Sequence, residues 1–241
     1  MEGHEWKTIP WVLDPESKTS TDHLQDILCD VPGLMEDATN VQDTLQKLGE
    51  IESQHQRLSE SILIHLDELY KWRTAWQCAN PGACHEVLAA SSSPVSTQIL
   101  SPTALYYSSL TAANEITHYN AILLLLLSLR DQILGSSSNA SITALSPPVD
   151  IDYWPLYPPG AAPNPQAVAI EICRSVEYHL VDSQNAGALF LLFPLRIAFT
   201  TFDPRSREQI WVSEVMRGIA NLSGFGIGHG LSGDEVVAPD S

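Results

Sequence analysis

Apolar residues recur every three or four positions through most of this chain, which is the spacing of amphipathic helices. The pattern predicts a first helix that begins at Thr21 and ends at Pro32-Gly33. A longer amphipathic helix is predicted over 35–58, with a continuation or restart over 61–76. Five more helices are predicted downstream, over 103–113, 114–134, 166–181, 187–202 and 206–222.

No stretch shows a convincing alternation with the period of two that is typical of a strand, so the predicted fold class is all-α, a single helical bundle. The parts are an N-terminal arm over 1–22, a helical domain over 23–225 and a flexible tail over 226–241. A Ser- and Pro-rich loop interrupts the domain at 135–166, because prolines prevent regular structure there. Its aromatic residues Tyr153 and Trp154 favour packing, so the loop is predicted to be a partly ordered cover of the bundle.

The charge of the chain limits its partners. Twelve Lys and Arg stand against 29 Asp and Glu, a formal net charge of −17. Nucleic acids and anionic lipids bind clustered cations, so direct nucleic-acid binding is not expected. The apolar run at 121–127 is too short to span a bilayer, and no signal sequence is evident. We therefore expect no membrane association and a cytoplasmic protein, or a nuclear one if it regulates transcription.

Motifs of cofactor and metal chemistry are missing from the sequence. No GxxxxGK[ST], GxSxG or HExxH segment occurs. The spacing GxGxxG occurs once, as GHGLSG at 228–233, but it lies in the glycine-rich C-terminal tail without the preceding strand that a dinucleotide site needs. Cys78, Cys84 and His85 are zinc-ligating residue types, but they lack the CxxC or HxxxH pairing that pre-organises a zinc site. The expectation is that the protein uses no metal and no cofactor.

Four segments resemble the C-terminal regulatory region of fungal zinc-cluster transcription factors. They are VPGLMED (31–37), LYKWRTAWQCANPG (69–82), NEITHYNAILLLLLSLR (114–130) and ICRSVEYHLVDSQNAGALFLLFPLR (172–196). The resemblance covers roughly residues 30–225 and implies the helical fold of that regulatory domain. A zinc cluster needs six closely spaced cysteines, whereas the four cysteines of this chain are scattered. A DNA-binding module is therefore not expected.

The candidate site consists of polar and aromatic residues that interrupt apolar helical faces. If the helices pack together, these side chains converge on an apolar pocket between the 114–134 helix and the two helices after the loop. Catalytic roles are assigned to His118, Tyr119 and Arg174. Substrate binding is assigned to Trp72, Trp76, Asn114, Tyr153, Trp154, Tyr178, His179 and Arg196.

The same residues also have structural interpretations. Arg196 is suited to a buried tie to Glu177, Glu171 or helix-end carbonyls. His118 is also typical of a core histidine whose hydrogen bonds are satisfied within the protein. The paired tryptophans of the candidate site are equally typical of a core or an interface.

Two functions follow from these patterns. The favoured hypothesis is a cofactor-independent protein of secondary metabolism that binds a hydrophobic small molecule. It would act by shape and hydrogen bonding as a cyclase or pericyclase, for example in a 4+2 cycloaddition, or as an isomerase. The alternative is a transcription regulator or ligand-sensing regulatory domain without its zinc cluster. Enzymatic activity and a homodimer both stay open at this point.

Overall fold

The computed structural model describes residues 7–8, 11–12, 14, 17–44, 51–90, 98–134, 155–182 and 187–223. The α-helices are α1 (Ser20–Thr44), α2 (Ile51–Ala79), α3 (Leu110–Leu134), α4 (Pro165–Arg174), α5 (Ala188–Thr201) and α6 (Arg207–Ser223). Two strands, β1 (Cys84–Leu88) and β2 (Thr103–Tyr107), form an antiparallel pair, and a π-helical turn spans Tyr178–Asp182. The predicted mostly helical character is confirmed. Within the described ranges, no helix is long and apolar enough to cross a membrane.

The predicted helix over 103–113 is wrong in its first half, and so is the prediction of a fold without strands. These residues form β2, which places Tyr107 opposite Cys84 of β1, and α3 begins only at Leu110. The segment TALYY is rich in β-branched and aromatic residues, which suit a strand. Its partner strand is separated from it by residues 89–102, so a local pattern does not show the pairing.

Pro32 lies inside α1, so the predicted end of the first helix there is wrong. The buried stripe of α1 continues across the proline, with Val31 and Leu34 both buried. Packing of this stripe favours a continuous helix even though proline cannot donate a backbone hydrogen bond. The predicted helix over 35–58 is divided between the end of α1 and the start of α2, and residues 45–50 lie outside the described ranges.

The contacts divide the chain into two compact units. Unit 1 comprises residues 1–81 and 125–147, and unit 2 comprises residues 82–124 and 148–241. Helix α3 contributes its first part to unit 2 and its last part to unit 1. We describe each unit by itself, and the prediction of one domain over 23–225 stays a prediction.

In unit 1, α1 packs against α2 through residues at helical spacing. The buried residues of this stripe are Leu24, Ile27, Val31, Leu34, Ala38 and Val41 on α1, and Leu58, Ile62, Leu66 and Leu69 on α2. Near the end of α2, Nε1–H of Trp72 donates to the main-chain oxygen of Ser20 at 2.9 Å. The second helix is thus tied to the start of the first.

In unit 2, β2 packs on α4, and α4, α5 and α6 pack in succession. The start of α4 has a strong local signal, because Oδ1 of Asn164 accepts from the N–H of Ala167 at 2.8 Å and Pro165 occupies the first turn. The predictions for α5 and α6 are confirmed to within one residue at each end. The helix predicted over 166–181 is interrupted, since α4 ends at Arg174 and the π-helical turn follows.

Candidate functional site

Two histidines of unit 2 meet at Asn114. His118 lies one turn further along α3, and its Nδ1 is 3.0 Å from the main-chain oxygen of Asn114. His179 belongs to the π-helical turn, where its Nε2 is 3.1 Å from Oδ1 of Asn114 and its Nδ1 is 2.8 Å from the main-chain oxygen of Ser175. Three of the predicted site residues therefore lie together. We call Asn114, His118 and His179 the histidine cluster.

The hydrogen bond of His118 determines where the proton of its ring lies. A carbonyl oxygen only accepts, so Nδ1 carries the hydrogen and Nε2 carries the lone pair. The described residues supply no hydrogen bond to Nε2. The ring is half-buried and lies beside Phe193, with ring centroids 5.8 Å apart, and burial lowers its pKa below the usual 6.5. His118 is therefore a neutral imidazole at pH 7 with an available basic nitrogen.

His179 is fully buried, and burial lowers its pKa to about 4. A neutral ring carries one N–H, and the carbonyl of Ser175 requires that hydrogen on Nδ1. Nε2 faces Oδ1 of Asn114, so a hydrogen bond there needs either hydrogen on Nε2 or the two ends of the amide exchanged.

Gly187, the residue directly before α5, lies close to the buried ring. A Cβ at this position would lie 2.8 Å from Cδ2 of His179 and 2.9 Å from Cδ1 of Leu110. The backbone of Gly187 is ordinary, with φ of −82°, so the requirement for glycine here is steric. Any larger residue forces the imidazole or the leucine to move.

The two arginines of the predicted site already have partners within unit 2. Arg174 ends α4 and ties it to the hairpin: its Nη2 donates to the carboxylate of Glu86 and, at 3.0 Å, to Oγ1 of Thr103. Arg196 lies over the ring of Phe199, with 5.4 Å between the guanidinium carbon and the ring centroid. These contacts are structural, and the predicted roles of both arginines in substrate chemistry stay predictions.

Tyr178 and Tyr119 are both buried. The ring of Tyr178 packs edge-on against those of Tyr106 and Tyr107, with centroids 5.6 and 5.4 Å apart. The hydroxyl of Tyr107 is 2.7 Å from Oγ of Ser175, the residue whose main chain holds His179. The aromatic residues of β2 thus support the π-helical turn. Because β2 was predicted as helix, this support could not be found from the sequence.

The tryptophans of the predicted site belong to unit 1, whereas the histidine cluster belongs to unit 2. The rings of Trp72 and Trp76 stack with centroids 6.5 Å apart, and the guanidinium of Arg73 lies 5.2 Å from the ring centroid of Trp76. Tyr153 and Trp154 lie outside the described residues. The predicted pocket that combines these four residues with the histidines stays a prediction.

Glu171 is a buried carboxylate that was predicted as a tie for Arg196 and not as a site residue. Its Oε1 accepts from the main-chain N–H of Tyr157 at 2.6 Å, and its Oε2 accepts from Nδ2 of Asn120 at 3.1 Å. Leu156 is buried as well. The end of the predicted cover loop is therefore attached to unit 2. In the sequence, the signal for this role is an acidic residue at a core position of a predicted helix.

A half-open cavity of about 450 Å³ lies in unit 1. It is lined by Asp37, Asn40, Val41, Gln54, Arg57, Leu58 and Ser61, none of which is a predicted site residue. Among the residues that the structure describes, no three His, Cys, Asp or Glu side chains are grouped as metal ligands. Cys78 is exposed, whereas Cys84 is buried in β1. What the histidine cluster offers chemically is a neutral base next to an amide.

No family model, no curated protein and no solved structure matches the chain. The resemblance to fungal regulatory domains therefore stays a prediction, and the geometry of the histidine cluster is the main support for a function.

Proposed function

We propose that this chain is a cofactor-independent protein that binds a hydrophobic small molecule on unit 2 and transfers a proton of that molecule through His118. The observation that carries the proposal is the contact of Nδ1 of His118 with the main-chain oxygen of Asn114 at 3.0 Å. This contact favours hydrogen on Nδ1 and leaves the lone pair on Nε2, to which the described residues give no hydrogen bond. Such a nitrogen accepts a proton at neutral pH. Isomerisation and cyclisation that begin with removal of a proton use a base of this kind. A pericyclic reaction does not, so the histidine favours the first two classes over cycloaddition.

The surroundings of His118 favour an apolar ligand. Phe193 of α5 contacts the imidazole, and the sequence of α5, ALFLLFPLRIAFTT, has one charged residue. Leu189 and Phe190 in its first turn are each about half exposed. Apolar side chains with a few placed polar groups are the usual lining of small-molecule sites. The net charge of −17 adds electrostatic repulsion against an anionic ligand.

The proposal is tested by a ligand screen with His118 as the reporter. The protein is mixed with a panel of uncharged terpenoid and polyketide metabolites, and the melting temperature, product formation and histidine-ring NMR signals are recorded. We expect a binder that raises the melting temperature and shifts the Nε2 signal of His118. The variant His118→Gln should lose turnover and much of the ligand-induced stabilisation. His85 is an exposed histidine of the same unit and provides the matched control His85→Gln, which should behave as the wild type.

Two outcomes change the conclusion. Equal ligand-induced stabilisation in the wild type and in His118→Gln removes His118 from the site and overturns the proposal. Binding that depends on His118 but gives no product favours the alternative, a ligand-sensing regulatory domain.

A further inference from the structure

We infer that unit 1 carries a binding site of its own, for a zwitterionic ligand of the amino-acid type. Arg57 binds the carboxylate of this ligand, and Asp37 binds its ammonium group. The site is the half-open cavity of about 450 Å³ between α1 and α2. It is separate from the histidine cluster, which belongs to unit 2, so the inference goes beyond the proposed function and does not depend on it.

The cavity is lined by one face of each helix. Its residues on α1 are three or four positions apart along the face, namely Asp37 with Asn40 and Val41. The same spacing joins its residues on α2, which are Gln54, Arg57, Leu58 and Ser61. Val41 and Leu58 are buried and give the cavity an apolar floor. Its volume lies in the range of small-molecule pockets, about 300–1,000 Å³.

Arg57 has no carboxylate partner among the described residues, although acidic residues outnumber basic ones in this chain by 29 to 12. Other cations of unit 1 each form an ion pair with an aspartate, namely Lys7, Lys18, Lys71 and Arg130. A guanidinium presents its N–H donors in a planar fork that matches the two oxygens of a carboxylate. Arg57 is exposed, so a ligand reaches it from solvent. The cavity therefore has a position for an external carboxylate.

Asp37 supplies the opposite charge in the same cavity. Within the described ranges its carboxylate has no ion pair either, so it does not neutralise Arg57. A carboxylate accepts hydrogen bonds from an ammonium group but repels a second anion. A doubly charged phosphate is therefore disfavoured beside Asp37, and the net charge of −17 adds to the repulsion. A ligand with one ammonium group and one carboxylate is neutral overall and satisfies both side chains.

The rest of the lining selects the body of the ligand. The apolar floor of Val41 and Leu58 favours an apolar side chain, because covering it removes apolar surface from water. The side chains of Asn40, Gln54 and Ser61 add polar groups of the kind that bond amides and carboxylates. Free amino acids with a large apolar side chain share this chemistry with short peptides of such residues.

The experiment measures binding to the full chain by NMR titration. The probes are leucine and leucyl-leucine, each compared with its N-acetyl derivative, which lacks the ammonium group, and with its amide, which lacks the carboxylate. We expect each unmodified probe to bind at least about 10-fold more tightly than either derivative, because each derivative loses a hydrogen bond between charged groups. Comparison of leucine with leucyl-leucine shows which of the two sources fits the cavity better.

Two variants assign the two charges. Arg57→Gln should bind the unmodified probe at least about 10-fold more weakly and no longer distinguish it from the amide. Asp37→Asn should no longer distinguish it from the N-acetyl derivative. Both positions are exposed, so the variants should keep the melting temperature of the wild type. The matched controls are Lys71→Gln and Glu36→Gln, exposed charges of the same two helices outside the cavity lining, which should bind as the wild type does.

The outcomes separate this inference from the proposed function. It is overturned if the wild type binds none of the probes at millimolar concentration, or if Arg57→Gln and Asp37→Asn bind them as the wild type does. Tighter binding of inorganic phosphate than of leucine also contradicts it, because the ligand would then be an anion and not a zwitterion. The proposed function is decided separately, by uncharged ligands and by His118→Gln, and a failure of either test leaves the other conclusion standing.

Discussion

Acid should destabilise the fold through His179. Its pKa is about 4 in the folded chain, against a usual value of 6.5. Between these two pH values the unfolded chain binds the proton and the folded chain does not, so the free energy of unfolding falls as the pH decreases from about 6.5 to about 4. The difference of about 2.5 pH units corresponds to about 3 kcal/mol at 1.36 kcal/mol per unit. The stability that the folded chain gains from a neutral His179 is fully present above pH 6.5.

The assay compares the wild type with His179→Gln, a side chain that does not titrate. Urea unfolding is measured at pH 7 and at pH 4.5 by the fluorescence of tryptophan, including the buried Trp211 of unit 2. Between pH 7 and pH 4.5, the free energy of unfolding of the wild type should fall by at least about 2 kcal/mol more than that of the variant. Titration of other groups, such as the carboxyl of Asp30, is common to both proteins and cancels in the comparison.

If the free energy of unfolding falls equally in the two proteins between pH 7 and pH 4.5, the reasoning is refuted. Such a result would mean that burial does not oppose protonation of His179. A second measurement covers a variant that fails to fold. In the wild type, the Cε1–H signal of His179 should titrate with a midpoint near 4, and a midpoint near 6.5 leads to the same refutation.

Other predictions follow from single contacts. Gly187→Ala should lower the free energy of unfolding by about 1–3 kcal/mol, since its Cβ overlaps with the buried ring of His179. Gly33→Ala adds a Cβ with no atom within 4 Å, and it should raise the free energy of unfolding by about 0.5–1 kcal/mol in the same urea titration. Glu171→Gln leaves one buried donor without an acceptor and should cost about 1–3 kcal/mol, and an unchanged melting temperature would argue against its two hydrogen bonds. The ring of His118 should titrate below pH 6.5 by NMR, because burial lowers its pKa. Duplex DNA should not bind at low salt in fluorescence anisotropy, and sub-micromolar binding would contradict the argument from net charge.

Helices with local signals were predictable from the sequence. The cap at Asn164 and the proline after it determine the start of α4, and apolar runs determine α5 and α6 almost to the residue. Pro32 shows the limit of such signals. A proline predicts a helix end, but the buried stripe on both sides of it keeps α1 continuous.

Features that depend on distant partners were not predictable. The strand pairing of β2 requires β1. The ionic partner of Arg174 lies in this hairpin, so the sequence alone does not show that the guanidinium is already paired. The histidine cluster was predictable in part. His118 and Asn114 stand on one face of α3, which their spacing shows. The pairing of Asn114 with His179, 65 residues away, needs the tertiary structure.

The contacts of the hairpin also determine when unit 2 completes its folding during synthesis. Arg174 bonds to Thr103 and Glu86, which precede it by 71 and 88 residues, and Glu177 accepts from the N–H of Ala90, 87 residues earlier. A two-stranded hairpin alone is marginally stable in water, and closing loops of this length slows folding. The strands therefore leave the ribosome long before their helical support exists. Translation must pass residue 177 before the hairpin is held, so unit 2 should fold late and as a whole.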